Sequence, residues 1–303
     1  MELVAIGDIN LDTIITVPRL PKPDEEVEIL DLREVPGGDA ANVAVAFARL
    51  GGEAGMIGAV GNDSAGELLR AHLSTSGVDV TRVLITQGPS GHAFSLVEPN
   101  GIRRLLYIRG ANSLRKLTYE DLIYVKKSKW FYVADPLPQT IEVLKAWYEN
   151  YEDLPQLALD PGSAGASRKE GFFAPLFPYL SALLLNEGEA MTLTDQDSLE
   201  GAVEHLKQIC PLVVVKRGDK GAFVATSKEE FSLPAYPIQA VDTTGCGDAF
   251  NAAFLFCLVR GRSPREAAQW GNAAGALAAQ KMGAYAPCLE ELEEFMLRFK
   301  EVV

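Results

Sequence analysis

Two aspartates, Asp242 and Asp248, bracket two threonines, two glycines and a cysteine in the stretch "AVDTTGCGDAF". Gly245 and Gly247 permit positive φ and close backbone approach. The following run, "DAFNAAFLFCLV", is small and apolar, so a helix is expected to begin near Gly247. The backbone N–H groups of Gly245, Cys246 and Gly247 would then converge at a helix N-terminus, where free donors and the helix dipole favour an anion. A phosphoryl group in transfer is such an anion, and stabilising its charge is the main catalytic task. Asp248 is placed either to take the proton of an attacking hydroxyl or to cap the helix; residue type and position allow both.

Other glycine-loop chemistries do not fit. No GxxxxGK[ST] occurs, and the glycines lack GxGxxG spacing after a strand. Cys246 has no basic neighbour in sequence to activate a thiolate, so its backbone amide is the expected contribution. His72, His92 and His205 stand in no nucleophile motif, which leaves a hydrolase or synthase without its constellation.

The elements that must position this loop alternate along the chain. Buried strands are expected at 3–8, 54–61, 157–160, 181–186 and 212–218, each a short apolar run ended by glycine or a polar residue. Helices are expected at 39–51, 64–76, 139–150, 197–209, 247–260, 264–281 and 289–301. Such alternation implies an α/β fold with a doubly wound, mainly parallel sheet flanked by helices. Ligands of such sheets gather at the carboxyl ends of strands, where Asp8, Asp160, Asn186 and Gly218 stand. Residues 12–35 and 90–109 break the pattern with β-branched runs and the hairpin signal Asn100-Gly101. They form either a small β lid of two insertions or edge hairpins of the main sheet. The lid arrangement divides the chain into an α/β body (1–11, 36–89 and 110–303) and a β lid (12–35 and 90–109).

A formal net charge of −13 argues against a nucleic-acid or anionic-membrane partner. No segment approaches the ~18 apolar residues of a membrane span. Four scattered cysteines form no CxxC pair, consistent with a reducing cytoplasm and with neither a zinc site nor a disulfide scaffold.

"VDTTGCGDAFNAAF" resembles the C-terminal signature of the ribokinase-like (PfkB) carbohydrate kinases. The companion signature "PGGDAANVAVAFARLG" (36–51) precedes it, together with "GDINLD", "IGAVGND", "NEGE", "VKRGDKG" and "GNAAGALAAQKMGA", in family order over nearly the whole chain. The resemblance implies a ribokinase-like fold and a phosphotransferase acting on a sugar hydroxyl. It makes Asp248 the general base and the amides of Gly245, Cys246 and Gly247 the anion hole. It assigns Asp12, Gly38 and Asn42 to the sugar. It places Asn186, Glu189, Lys216, Gly218, Gly221 and Asn272 on the nucleotide side, with ATP as donor and Glu189 reaching Mg²⁺ through water. It also implies a possible K⁺ site at Asp242 and Thr244, and a homodimer through the lid.

The acceptor is read from the second insertion. Arg103, Tyr107 and Arg109 share strand parity and are expected on one face, with Arg104 beside them. Arginine forks suit carboxylate or phosphate. The expectation is therefore an anionic acceptor, a sugar acid such as 2-keto-3-deoxygluconate or a sugar phosphate, bound by Tyr107 and Arg109. A neutral acceptor (ribose, fructose, a nucleoside or inositol) is the alternative, and a non-catalytic sensor of the same fold is a further one.

Overall fold

The structure is a computed structural model that describes residues 1–99 and 103–299, so the Asn100-Gly101 turn lies outside the described residues. The chain opens with β1 (Leu3–Ile6), β2 (Asn10–Thr16), β3 (Asp31–Gly37) and β4 (Ala54–Gly61). Next come β5 (Asp79–Thr86), β6 (Gly91–Val97), β7 (Arg103–Ile108) and β8 (Trp130–Ala134). β9 (Gln156–Asp160), β10 (Leu180–Asn186), β11 (Leu212–Lys216), β12 (Ala222–Thr226) and β13 (Glu230–Leu233) complete the described strands.

Nine strands form the main sheet, in the order β13-β12-β11-β10-β9-β8-β1-β4-β5. Every pair from β11 to β5 is parallel, and only β12 and β13 run antiparallel at one edge. Alternate residues of an inner strand face opposite sides. In β1, Leu3 and Ala5 enter one apolar cluster while Val4 and Ile6 enter the other. Strand β11 splits the same way, Leu212 and Val214 against Val213 and Val215. Both faces are covered, which is why these strands read as continuous apolar runs.

Helices Asp39–Arg49, Cys246–Val259 and Pro264–Ala279 cover one face. Helices Pro138–Asn150, Glu187–Thr194 and Leu199–Leu206 cover the other. The helix Cys246–Val259 buries every residue from Ala249 to Cys257, because it packs between Asp39–Arg49 and Pro264–Ala279 as well as on the sheet. β1 has β4 on one side and β8 on the other, so the connections part there and leave a crevice at the carboxyl ends.

The remaining four strands form a separate sheet, β3-β2-β6-β7, with β2 and β6 parallel at its centre. The insertions therefore pair with each other, not with an edge of the main sheet. Strand β2 leaves β1 through Gly7–Ile9, and β3 ends at Gly37, one residue before the helix cap Gly38. The small sheet is thus rooted at the carboxyl-end crevice.

Several boundaries differ from those expected. The first strand stops at Ile6, and β11 stops at Lys216, with Gly218 in a short 3₁₀ turn beyond it. The helix expected at 197–209 is shorter, Leu199–Leu206, because the Ser198 hydroxyl caps it by accepting from the Gly201 N–H. Strands β5, β8, β12 and β13 were not expected; "WFYVA" of β8 is five residues long and lacks a glycine stop.

Candidate active site

The loop–helix junction sets the floor of the crevice. Gly245 adopts φ +72° as the N-cap, and a Cβ there would lie 2.7 Å from Ala284 Cα. The helix accordingly begins at Cys246, one residue earlier than expected. The Cys246 N–H donates to the Thr243 carbonyl at 3.3 Å, closing the turn. The amides of Gly247 and Asp248 lie in the first turn, which has no intrahelical acceptors for them. The Cys246 thiol packs 3.8 Å from the Asp242 carbonyl. Burial, with Asp242 and Asp248 nearby, pushes that thiol up to about 11, so it stays protonated and inert.

Asp248 is half-buried at this floor, and its Oδ2 accepts from Asn42 Nδ2 at 2.8 Å. Burial raises its carboxyl to about 7, against the Asn42 hydrogen bond and the Lys216 ammonium, which favour the charged form. A carboxyl poised near neutrality suits a general base. Gly38, φ +100°, brings its backbone so close to the Asp8 carbonyl that no side chain fits between them. Asp12, on β2, packs its carboxylate against Gly37 and adds negative charge beside Asp248. Asp39, one turn before Asn42 on the same helix face, keeps an open side to the crevice. The Asp248 carboxylate and loss of solvent on its other sides raise the Asp39 pKa well above the ordinary range.

On the neighbouring strands, Asn186 and Glu189 form a capping box. Asn186 Oδ1 accepts from the Glu189 N–H and Glu189 Oε2 from the Asn186 N–H, both at 2.8 Å. Glu189 Oε1 also accepts from the Ser163 hydroxyl at 3.0 Å. Lys216 faces Asn186 across the β10–β11 register and reaches Asp160 Oδ2 at 3.0 Å. Gly218 and Gly221, φ +58° and +86°, close the turn beside it. Asn272 Nδ2 donates to the Pro234 carbonyl at 3.1 Å, tying its helix to the chain after β13. Asp242 Oδ1 accepts from Thr244 N and Oγ1, and its Oδ2 accepts from the Gly283 N–H at 2.9 Å. It thereby stitches the loop to the segment after Pro264–Ala279.

The arginine cluster does not form as expected. β7 ends at Ile108, so Arg109 leaves strand parity. Its guanidinium turns inward, 2.6 Å from Asp135 Oδ2 and 3.5 Å from Asp8 Oδ2. Two carboxylates already answer its charge. Tyr107 and Arg104 are exposed on the edge strand, and the side chain of Arg103 lies outside what the structure describes. His92 donates to or accepts from Thr13 Oγ1 at 2.7 Å and stacks on Phe94, packing within the small sheet.

The structure brings Asp248, Gly247, Asn42, Gly38 and Asp12 together, with Lys216 on the adjoining strand β11 and Glu189 in the first turn of the helix after β10. Sequence reasoning missed Asp39, Asp135, Tyr132 and Asn251. Asp135 follows β8 as Asp8 follows β1, so recognising "WFYVA" as a strand would have found it. Asp39 stands three before Asn42, a helical spacing already visible beside Gly37-Gly38.

Comparison with known proteins agrees with this fold. Residues 1–292 match the model of the family described as pfkB family carbohydrate kinase. The chain is 30% identical over 302 residues to a ribokinase of Bacillus subtilis, covering 97% of this chain and 99% of that one. It is 31% identical over 300 residues to an ATP-dependent ribose-1-phosphate kinase of Halopiger xanaduensis, covering 98% of each. Among solved structures, the Arabidopsis thaliana ribokinase complexed with ribose and ATP superposes with a TM-score of 0.84 at 26% identity, covering 97% of this chain and 98% of that one.

Proposed function

The chain belongs to the pfkB family of carbohydrate kinases, phosphotransferases with a hydroxyl acceptor, and we propose that it phosphorylates a neutral sugar or sugar derivative from ATP. The observation that carries the acceptor reading is Arg109. Its guanidinium is paired with Asp8 and Asp135, so its charge is already offset without an anionic acceptor, although Nη1 keeps no hydrogen-bond partner. The ribokinase names of relatives support the same reading. The name of the Halopiger xanaduensis relative favours a second one, a sugar phosphate. Asp248 takes the proton of the attacking hydroxyl, and its carboxyl near 7 lets it do so at neutral pH. Asn42 holds that carboxylate in place, while Asp12 and Gly38 receive the remaining hydroxyls. The amides of Gly247 and Asp248 face the transferring phosphoryl group.

On the nucleotide side, Asn186, Glu189 and the turn at Gly218 and Gly221 hold the phosphates, with Lys216 beneath. Among the described residues no three acidic, histidine or cysteine side chains converge as a metal cage. One buried carboxylate, Glu189, beside a phosphate site fits Mg²⁺, which keeps most of its water. When bound, that ion neutralises phosphate charge. A K⁺ site would use carbonyls around Asp242, whose own oxygens are engaged with Thr244 and Gly283.

Residues 12–35 and 90–109 act as the lid in this reading. Its outer strands leave Leu32, Leu105, Leu106 and Ile108 exposed, an apolar surface suited to a second copy of the chain. No described helix is long and apolar enough to cross a membrane. The four cysteines are unpaired, which supports a cytoplasmic setting. A coupled assay with ATP against ribose, fructose, nucleosides, inositol, 2-keto-3-deoxygluconate and ribose phosphates tests the acceptor. The highest kcat/KM on a neutral compound is expected; a phosphorylated or carboxylated acceptor leading the panel would reverse the reading.

A further inference from the structure

Beneath the phosphoryl-binding loop lies a polar network that the reaction as described does not use. Asp160, the last residue of β9, is its hub. Its Oδ1 accepts from the Gly162 N–H at 2.9 Å. Its Oδ2 accepts from Lys216 Nζ at 3.0 Å, from Asn251 Nδ2 at 2.7 Å and from the Tyr132 hydroxyl at 3.4 Å. These donors come from β11, from the catalytic helix and from β8. Asn251 is three residues after Asp248, so one turn of helix separates the network from the base. A Cβ on Gly247 would lie only 3.5 Å from Lys216 Nζ, so the ammonium sits directly under the loop. Asn251 is fully buried, and its second donation, to the Tyr132 hydroxyl at 3.1 Å, locks the arrangement.

We propose, resting on the kinase reading above, that Asp160 is a positioning residue: it pins the Lys216 ammonium beneath Gly247 and beside Asp248, where it faces both the transferring phosphoryl group and the base. The Lys216 stem passes 3.9 Å from where a Cβ on Gly247 would stand, so a bulky loop residue would displace it. Without Asp160 the ammonium loses its hydrogen bond and keeps Glu189, the stronger, and Asp248 as counter-charges, so it is no longer fixed beneath the loop. The two charges act on Asp248 with opposite signs. Lys216 favours its carboxylate, and Asp160 disfavours it. The other groups facing Asp248 are Asn42 and Asp39 of helix Asp39–Arg49, Asp12 of β2 and Tyr132 of β8. Those facing Lys216 are Asp160, Glu189 and Asp248. Burial opposes the Lys216 charge, and these carboxylates more than offset it, raising its pKa above the ordinary lysine value.

The test is a carboxyl ¹³C NMR titration of Asp248 in the ligand-free protein, with Asp160→Asn and Lys216→Met beside the parent chain. Lys216→Met should move the Asp248 midpoint up by about half a pH unit or more. Asp160→Asn removes a carboxylate but also releases the ammonium, so on the parent chain its downward shift should be smaller than the shift of the same substitution made on the Lys216→Met chain. In turnover assays the acid limb of kcat/KM should follow the Asp248 midpoint in each variant. Lys216→Met should lower kcat at least tenfold, since an interaction made with the transferring group is lost. Thermal melts report whether each variant folds, and Asn251→Ser offers a third route to loosening the hub. A Lys216→Met midpoint that stays put, or an Asp160→Asn shift of the same size with and without Lys216, would overturn the proposal. Absence of any phosphorylation by the parent chain would instead overturn the kinase reading, because the NMR titration does not depend on turnover.

Discussion

Asn42 and Asp248 stand 206 residues apart in sequence, and the Asn42 amide donates to the Asp248 carboxylate at 2.8 Å. One lies in the first helix after the small sheet and the other opens the helix at the crevice floor. The contact joins the helix that follows Gly38 to the loop at Gly245. It also opposes burial, holding in its charged form a carboxylate that the site would otherwise neutralise.

Asp248→Asn should fold and lose turnover by about 10²–10⁴-fold, the usual contribution of a positioned base. The carbonyl oxygen of the introduced amide can still accept from Asn42, so acceptor affinity should hold. Steady-state kinetics with binding calorimetry check this, and near-parent kcat would remove Asp248 from its role.

The same substitution makes a stability prediction whose sign follows from the raised carboxyl. The folded-state pKa of Asp248 is about 7 against an ordinary 3.8. Between these values the folded chain holds a proton that the unfolded chain has released, so this group lowers stability as pH rises. Asp248→Asn removes that penalty. Its Tm should exceed that of the parent chain at pH 8, and the gap should close toward pH 4. Melts across that range read it out.

Arg109→Met should destabilise the fold by roughly 1–3 kcal/mol, because Asp8 and Asp135 then face each other with only the more distant Arg168, 4.0 Å from Asp135, as cation. Burial already lifts Asp8 to about 6 against the Arg109 charge, and the substitution should lift it further. Chemical denaturation at pH 6 and pH 8 measures the loss, which should be larger at pH 8, where both carboxyls must ionise.

Gly245→Ala places a Cβ at φ +72° against Ala284. Strain of about 1–3 kcal/mol is expected, together with a fall in kcat as the loop amides shift. An unchanged Tm and kcat would mean that the loop has room the geometry does not indicate.

Cys246→Ala should retain kcat within about threefold, since the thiol is protonated and only the backbone contributes. Any loss of activity that alkylating reagents cause in the parent chain through this thiol is then steric and should be absent from the variant. Rates before and after reagent treatment, compared between the two chains, read this out.

Much of this was visible in residue order. Apolar runs ended by glycine or a polar residue marked most parallel strands, because a strand covered on both faces must be apolar throughout. Gly245, Gly247 and Asp248 announced a glycine-led helix start, since spacing along one chain survives folding unchanged. Small errors clustered at boundaries. The helix begins at Cys246 because Gly245 takes the left-handed cap, and Ala284, 39 positions later, leaves no room there for a side chain.

What tertiary structure alone decided is where charges meet. Strand parity placed Arg109 beside Tyr107, yet β7 ends at Ile108 and the guanidinium turns to Asp8 and Asp135, which enter from two other strand ends. Asp160 carried no signal beyond its strand end, and only packing brings Lys216, Asn251 and Tyr132 to it. The reason is physical. Local chemistry follows from backbone conformation over a few residues, whereas the ionisation of Asp248 and the pairing of Arg109 depend on through-space distances between groups from different strands and helices. Those distances exist only once the sheet has been assembled and its carboxyl ends share one crevice.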